Sequence, residues 1–202
     1  MVQLFVDGGG FMWPILFIFI IGFVFVGERL YHLVKGLASN EDFAMEVSST
    51  LEKSGAKAAQ DMCDQSMGPV ANLCSSALEK ADSGVEAVEK TLDQSGTIEM
   101  ASMEKNMTWI SLCIATAPML GFLGTVWGMI QAFNDIKMAN DISPAVVAGG
   151  ISVALLTTAF GLVVAVVLQI LQNAVMYIID NQIVTLQKSS IMILDAVEKK
   201  KK

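Results

Sequence analysis

The sequence predicts an all-α integral membrane protein with three transmembrane helices and long cytoplasmic helical extensions. Hydrophobic residues make up 53% of its 202 residues and charged residues only 16%, an apolar excess over ordinary soluble domains. Long intervals without Asp, Glu, Lys or Arg run from Gly8 to Gly27, from Asn106 to Asn134 and from Ile142 to Ile179. A helix needs about 20 mostly apolar residues to cross the hydrocarbon layer, and each interval supplies them. The polar stretch between the first two is rich in helix formers.

Residues 1–10 are expected outside the membrane and residues 11–27 form the first span. Trp13 and Pro14 stand at its start, where an interfacial aromatic and a first-turn proline are both physically inexpensive. A secretory leader is the competing reading. However, Asp7 occupies the place of its basic residues, and Glu28-Arg29-Leu30-Tyr31 replaces the small residues of a cleavage site. The span is therefore expected to be retained.

Residues 28–106 form a cytoplasmic helical domain. Between Glu28 and Thr108 there are 14 acidic and 7 basic residues with few large hydrophobes, so a compact private core is not expected. Glycines and the pair Gly68-Pro69 break the segment into helices. Val85, Val88, Leu92, Met103 and Met107 recur close to one helical face, which predicts a helix running into the second span with Gly96 as its weak point. The acidic residues are the solvated faces of these helices.

The second span covers residues 107–134, the outward link 135–143, the third span 144–178, and a carboxyl-terminal helix and basic tail 179–202. Direction follows from basic residues near the span ends. None precedes the first span, Arg29 and Lys35 follow it, Lys105 precedes the second, and Lys199 to Lys202 close the chain. The amino terminus is expected outside and the carboxyl terminus in the cytoplasm, with the link carrying Asp135, Lys137 and Asp141 facing outward.

In the second span, Gly121, Gly124 and Gly128 share one face together with Thr125, and small faces let helix backbones approach closely in lipid. Pro118 removes an internal hydrogen bond in mid-span and should bend the helix. In the third, Gly150, Ala154, Thr157, Thr158, Gly161 and Ala165 fall within an arc of about 100°. Leu155, Leu162, Val163, Val166 and Val167 occupy the other side, and Pro144 suits the first turn. Plain helix packing explains these small faces, and so does a polar lining in which hydroxyls hold water or help desolvate an ion. Spacing leaves both open.

Other chemistries find little support. The formal net charge is −7 with no basic stripe for phosphate, so nucleic acid is not an expected partner. Cys63, Cys74 and Cys113 lack metal-site spacing and read as reduced thiols acting as small hydrophobes. His32 lies beside Arg29 and Lys35 at the headgroup level. No phosphate loop, nucleophile arrangement or helical metal motif occurs, so neither an enzyme, a cofactor nor a metal is expected.

The segments APMLGFLGTVWGMIQAF and SPAVVAGGISVALLTTAFGLVVAV resemble the signatures of the MotA/TolQ/ExbB proton-channel family, and more closely those of its ExbB/TolQ branch. The flagellar branch has a further span that is missing here. The resemblance implies a subunit of the bacterial inner membrane that assembles as a homopentameric ring. The ring encloses two copies of a single-span ExbD/TolR-like partner whose membrane aspartate carries the ion, and lipid surrounds it. Ion flow turns one against the other and energises transport, envelope maintenance or motility. By motif position Thr125 and Thr158 match the pore-facing threonines, Thr157 stands beside them, and Pro118 matches a common proline. Gly121, Gly124, Gly128, Gly150 and Gly161 remain packing positions.

One position departs from the family. Where the branch carries a glutamate, in a pattern GI-A-E-A-L, this chain has Val153 within Gly150-Ile151-Ser152-Val153-Ala154-Leu155. An intramembrane carboxylate marks function by default, and neither late span has one, so the titratable group must come from the partner and either H⁺ or Na⁺ fits. The rival from another class is a structural scaffold whose glycine faces assemble a ring that conducts nothing. A solute transporter is disfavoured by the lack of an inverted repeat and of broken helices with charged binding groups.

Overall fold

Eight α-helices account for nearly all of the described chain, and no strand occurs among the described residues. The computed structural model describes residues 2–36, 41–139 and 144–201; Asp141 of the expected outward link and Lys202 of the tail lie outside them. In chain order the helices are α1 (Val2–Asp7), α2 (Met12–Gly36), α3 (Glu41–Ser54), α4 (Ala56–Asp64), α5 (Pro69–Leu78), α6 (Val85–Met103), α7 (Met107–Ala139) and α8 (Pro144–Lys201). A short 3-10 turn at Ala81–Ser83 separates α5 from α6. Three stretches are long and apolar enough to cross a membrane, in α2, in the stretch ending in α7, and in α8, as the charge-free intervals require.

The chain divides into two units, Met1–Glu28 with Asn106–Ala174, and Arg29–Lys105 with Val175–Lys202. In the first, α2, α7 and α8 share a core of Ile15, Cys113, Ala117, Val164 and Leu168. Gly22 permits this approach, since a methyl group there would lie 2.7 Å from a Leu168 methyl. Phe17, Phe23, Met119, Phe122, Leu162 and Val166 point outward and are exposed. Such a surface suits a helix set in lipid, where apolar exterior residues carry no penalty. α1 folds back so that Phe5 meets Trp13 and Phe160 edge-on, at centroid distances of 5.5 and 6.3 Å. α7 passes through Pro118 without interruption. Pro144 opens α8, where its missing N–H leaves no carbonyl unpaired.

The second unit corrects the expectation of a segment without its own core. Ala44, Val47 and Leu51 of α3, Ala59 and Cys63 of α4, Leu73, Cys74 and Ala77 of α5, and Val88 and Leu92 of α6 close on one another. Leu186, Ile193, Ala196 and Val197 of α8 complete the cluster. Each short helix offers only a thin stripe of small residues. The stripes become a core because the last part of α8 fills the space between them. Leu73 is fully buried, so Leu73→Ala should destabilise this unit by about 2–5 kcal/mol, read as a lower thermal midpoint in detergent.

Cys63 and Cys74, eleven positions apart, also meet in this core, both buried and unbridged. Their side chains share a hydrogen bond that holds Cys63 below the ordinary thiol range and, with burial, pushes Cys74 above it. Both still act as small core residues.

The junction between α6 and α7 also differs from the sequence expectation. α6 continues through Gly96, and the break falls at Asn106, whose φ is 67°. Asparagine tolerates this left-handed conformation better than most residues. In the first unit the Asn106 amide donates to a Glu28 carboxylate oxygen at 3.1 Å. In the second, the buried Arg29 guanidinium donates to the Ser102 carbonyl at 3.0 Å, in the last turn of α6, where a cation complements the helix dipole.

Candidate functional site: the α7–α8 helix pair

The small faces of α7 and α8 face each other in antiparallel register. A methyl group on Gly121 would lie 2.9 Å from the Thr157 carbonyl oxygen, and one on Gly124 2.6 Å from the Thr157 hydroxyl. One on Gly128 would lie 3.2 Å from the Ala154 Cβ, and one on Gly161 2.6 Å from the Ala117 carbonyl. Gly150 fits against Ala132 in the same way. Small residues at successive turns thus bring two backbones together where lipid gives no hydrophobic drive for pairing.

The three threonines of this region take different places. Thr157 is buried at the centre of the contact, with its hydroxyl donating to the Ala154 carbonyl at 2.7 Å. Thr158, one residue and about 100° further round, is half-buried at the edge of the contact. Its hydroxyl crosses to the Gly121 carbonyl at 3.1 Å. Thr125 is also half-buried and donates to its own helix, to the Phe122 carbonyl at 2.6 Å. Thr125 and Thr158 are therefore partly open on this protomer, whereas Thr157 is enclosed. The aliphatic side of α8 is open as well, with Leu155, Leu162, Val163 and Val166 each at least half exposed.

Val153 lies on the rim of a cavity of about 320 Å³ shared with Gly8, Gly9, Trp127, Gln131 and Thr157. A methyl group on Gly9 would sit 3.5 Å from Val153, so the turn after α1 covers the position at which a glutamate stands in the resembling family. Among the described residues the cavity rim carries no ionisable side chain.

Sequence reasoning passed over a second polar contact in the pair. Gln172 of α8 donates through Nε2 to the Ser111 hydroxyl of α7 at 2.6 Å. Gln169 donates to the Asn173 side-chain oxygen at 3.1 Å. The signal was present in the spacing, because Gln172 stands fourteen positions after Thr158 and Ser111 fourteen before Thr125. Seven-residue steps nearly restore helical phase.

The model of the MotA/TolQ/ExbB proton channel family matches residues 65–188, which include α7 and most of α8. The chain is 33% identical to an ExbB homolog of Methanothermobacter thermautotrophicus over 183 residues, covering 90% of this chain and 65% of that protein. It is 41% identical to the biopolymer transport protein ExbB of Xanthomonas campestris over 81 residues, 40% of this chain and 32% of the relative. It is 43% identical to that of Neisseria gonorrhoeae over 67 residues, 33% and 30% of the two chains. The alignments thus span just under two thirds of the first relative's length and about a third of the other two.

Proposed function

The chain belongs to the MotA/TolQ/ExbB proton channel family, and on that premise we propose that it is the ring-forming, ion-conducting subunit of an envelope motor. Its general role is the energising one of ExbB/TolQ-type membrane proteins. In the proposed arrangement a homopentamer in the inner membrane surrounds two copies of an ExbD/TolR-like single-span partner. The amino terminus lies outside and the carboxyl terminus in the cytoplasm. H⁺ or Na⁺ passes between ring and partner, and the resulting movement drives transport, envelope maintenance or motility.

One observation carries the reading. The α7–α8 pair leaves Thr125 and Thr158 half-buried, while no Asp, Glu, Lys, Arg or His occurs from Asn106 to Asn134 or from Ile142 to Ile179. A polar but uncharged wall can ligate a passing cation without trapping it. The carboxylate that loads and releases the ion must then sit on the guest helix. Thr157 and the facing glycines hold the wall together. Each unit charge crossing 100 mV releases about 2.3 kcal/mol, so a few ions per cycle suffice for a conformational step.

The scaffold reading keeps one observation on its side, since the α7–α8 glycine contacts make a tight pair whether or not anything flows. The two readings part in one experiment. The chain is purified with a single-span protein bearing an intramembrane Asp, reconstituted in vesicles, and given an ion gradient. Flux that requires the partner and disappears on Asp→Asn in it is the expected result. A stable complex that passes neither H⁺ nor Na⁺ would leave the scaffold.

A further inference from the structure

Thr158 and Gln172 stand fourteen residues apart on α8, which is about 21 Å of helix. A guest carboxylate level with the threonines cannot follow a cation over that distance. Something in the wall must ease its passage to the end of the span nearer Lys105. Seven residues turn a helix to within about 20° of its starting direction. Ser111, Pro118 and Thr125 therefore form one line on α7, and Thr158, Ala165 and Gln172 form another on α8. The two lines meet at Gln172, which donates to the Ser111 hydroxyl at 2.6 Å, and Thr158 at the other end donates to the Gly121 carbonyl at 3.1 Å, one turn before Thr125. Between these ends the lines carry Pro118 and Ala165, two short side chains, of which Ala165 packs against the core of this unit.

The surroundings of the second contact are unusual for residues inside charge-free spans. Gln169 lies about 20° from the phase of Thr158, and its amide donates to Asn173 at 3.1 Å. Ser111, Gln169 and Asn173 are exposed on the protomer, and Gln172 is half-buried. Trp109, half a turn before Ser111, stacks on Phe25 at 6.3 Å and has the character of a headgroup-level aromatic. An amide facing hydrocarbon without a partner costs about 2–7 kcal/mol. The two bonds leave further donors and acceptors on each amide to satisfy, and four polar side chains gathered on one edge of the pair point to water on that edge.

We infer that Ser111, Gln169 and Gln172 form the inner end of the ion path, an uncharged hydroxyl and amide cluster that holds water and receives a hydrated monovalent cation after it leaves the guest carboxylate. The inference deepens the proposed function and rests on it. The cluster conveys the ion without changing its own protonation, because neither an amide nor an aliphatic hydroxyl titrates in the physiological range.

The test uses the full chain reconstituted with its single-span partner, with H⁺ and Na⁺ entry read by ion-sensitive dyes. Gln172→Leu and Gln169→Leu should each lower flux at least tenfold while the complex keeps its size. Gln169→Cys should react with a small water-soluble methanethiosulfonate and lose flux when modified. Val163→Cys, exposed on the opposite side of α8, should not react, and the buried native cysteines keep the parent chain as background. If Thr158→Val stops flux but both leucine variants conduct like the parent, the cluster is not on the path and the proposed function stands. If Thr158→Val and Thr125→Val conduct normally, the threonines are off the path and the inference, which starts from them, falls; a parent complex that passes neither ion overturns the proposed function instead. Should Gln172→Leu fail to assemble, the cysteine decides: modification with block supports the cluster, and an unreactive Gln169→Cys overturns it.

Discussion

Thr158→Val should lower ion flux by about tenfold to a hundredfold and so remove the energised output while leaving the protein inserted and assembled, and Thr125→Val should do the same less completely. Valine keeps the shape of threonine and removes only the hydroxyl. At Thr158 the structural loss is one bond to the Gly121 carbonyl, and side-chain hydrogen bonds between membrane helices are worth about 0.6 kcal/mol on average. That is too little to separate helices whose backbones touch along five glycines. A hydroxyl that ligates a passing cation is worth more, about 1.5–3 kcal/mol for a bond to a charged group. Its loss at the barrier slows passage roughly tenfold to a hundredfold. Thr157→Val is the informative comparison. Thr157 is enclosed between the helices and bonds its own backbone, so its substitution should change flux far less than that of its neighbour. Equal loss from both variants would mean that the threonines act through packing rather than through the ion. Normal flux through a Thr125→Val/Thr158→Val double variant would remove the pair from the path.

Much of this architecture was legible in the sequence because lipid imposes a simple demand. Backbone polar groups must be satisfied within each span, so intervals without charge announce helices, and the small faces of the last two spans announce a close pair. What stayed hidden depended on distant partners or on small angles. The stripes of α3, α4, α5 and α6 looked too thin to make a core, and they were, until Leu186 and Ile193 arrived from far along the sequence, beyond the last two spans. Gly96 looked like the weak point since glycine costs a helix about 1 kcal/mol, yet α6 carries it through. Asn106 breaks the chain instead, because it can hold a positive φ and bond Glu28 at the same time. Periodicity put Thr157 and Thr158 on one polar arc but could not say where the arc is centred. The contact with Gly124 fixes the centre at Thr157 and leaves Thr158 at the edge.

That placement of the edge depends on the glycine contact, which Gly161→Val should destroy. Even a single methyl group on Gly161 would come within 2.6 Å of the Ala117 carbonyl and 3.1 Å of the Gly121 Cα. Both neighbours are backbone atoms of an unbroken helix, so no side-chain rotation relieves the clash and α7 and α8 must separate. Separation strands the Thr158 hydroxyl, opens voids around Thr157, and removes the van der Waals contacts that hold helices together in lipid. The expected outcome is failure to assemble, seen as aggregation or degradation and as loss of the oligomer on size-exclusion chromatography. Gly27→Ala is the matching control, since nothing lies within 4 Å of the added methyl, and the exchange favours the helix by up to about 1 kcal/mol. A Gly161→Val protein that assembles with an unchanged thermal midpoint would show that the two helices do not meet through their glycines. The small faces would then be free to turn toward a guest, and the ion path would have to be drawn along Gly121, Gly124 and Thr157 instead of along the line from Thr158 to Gln172.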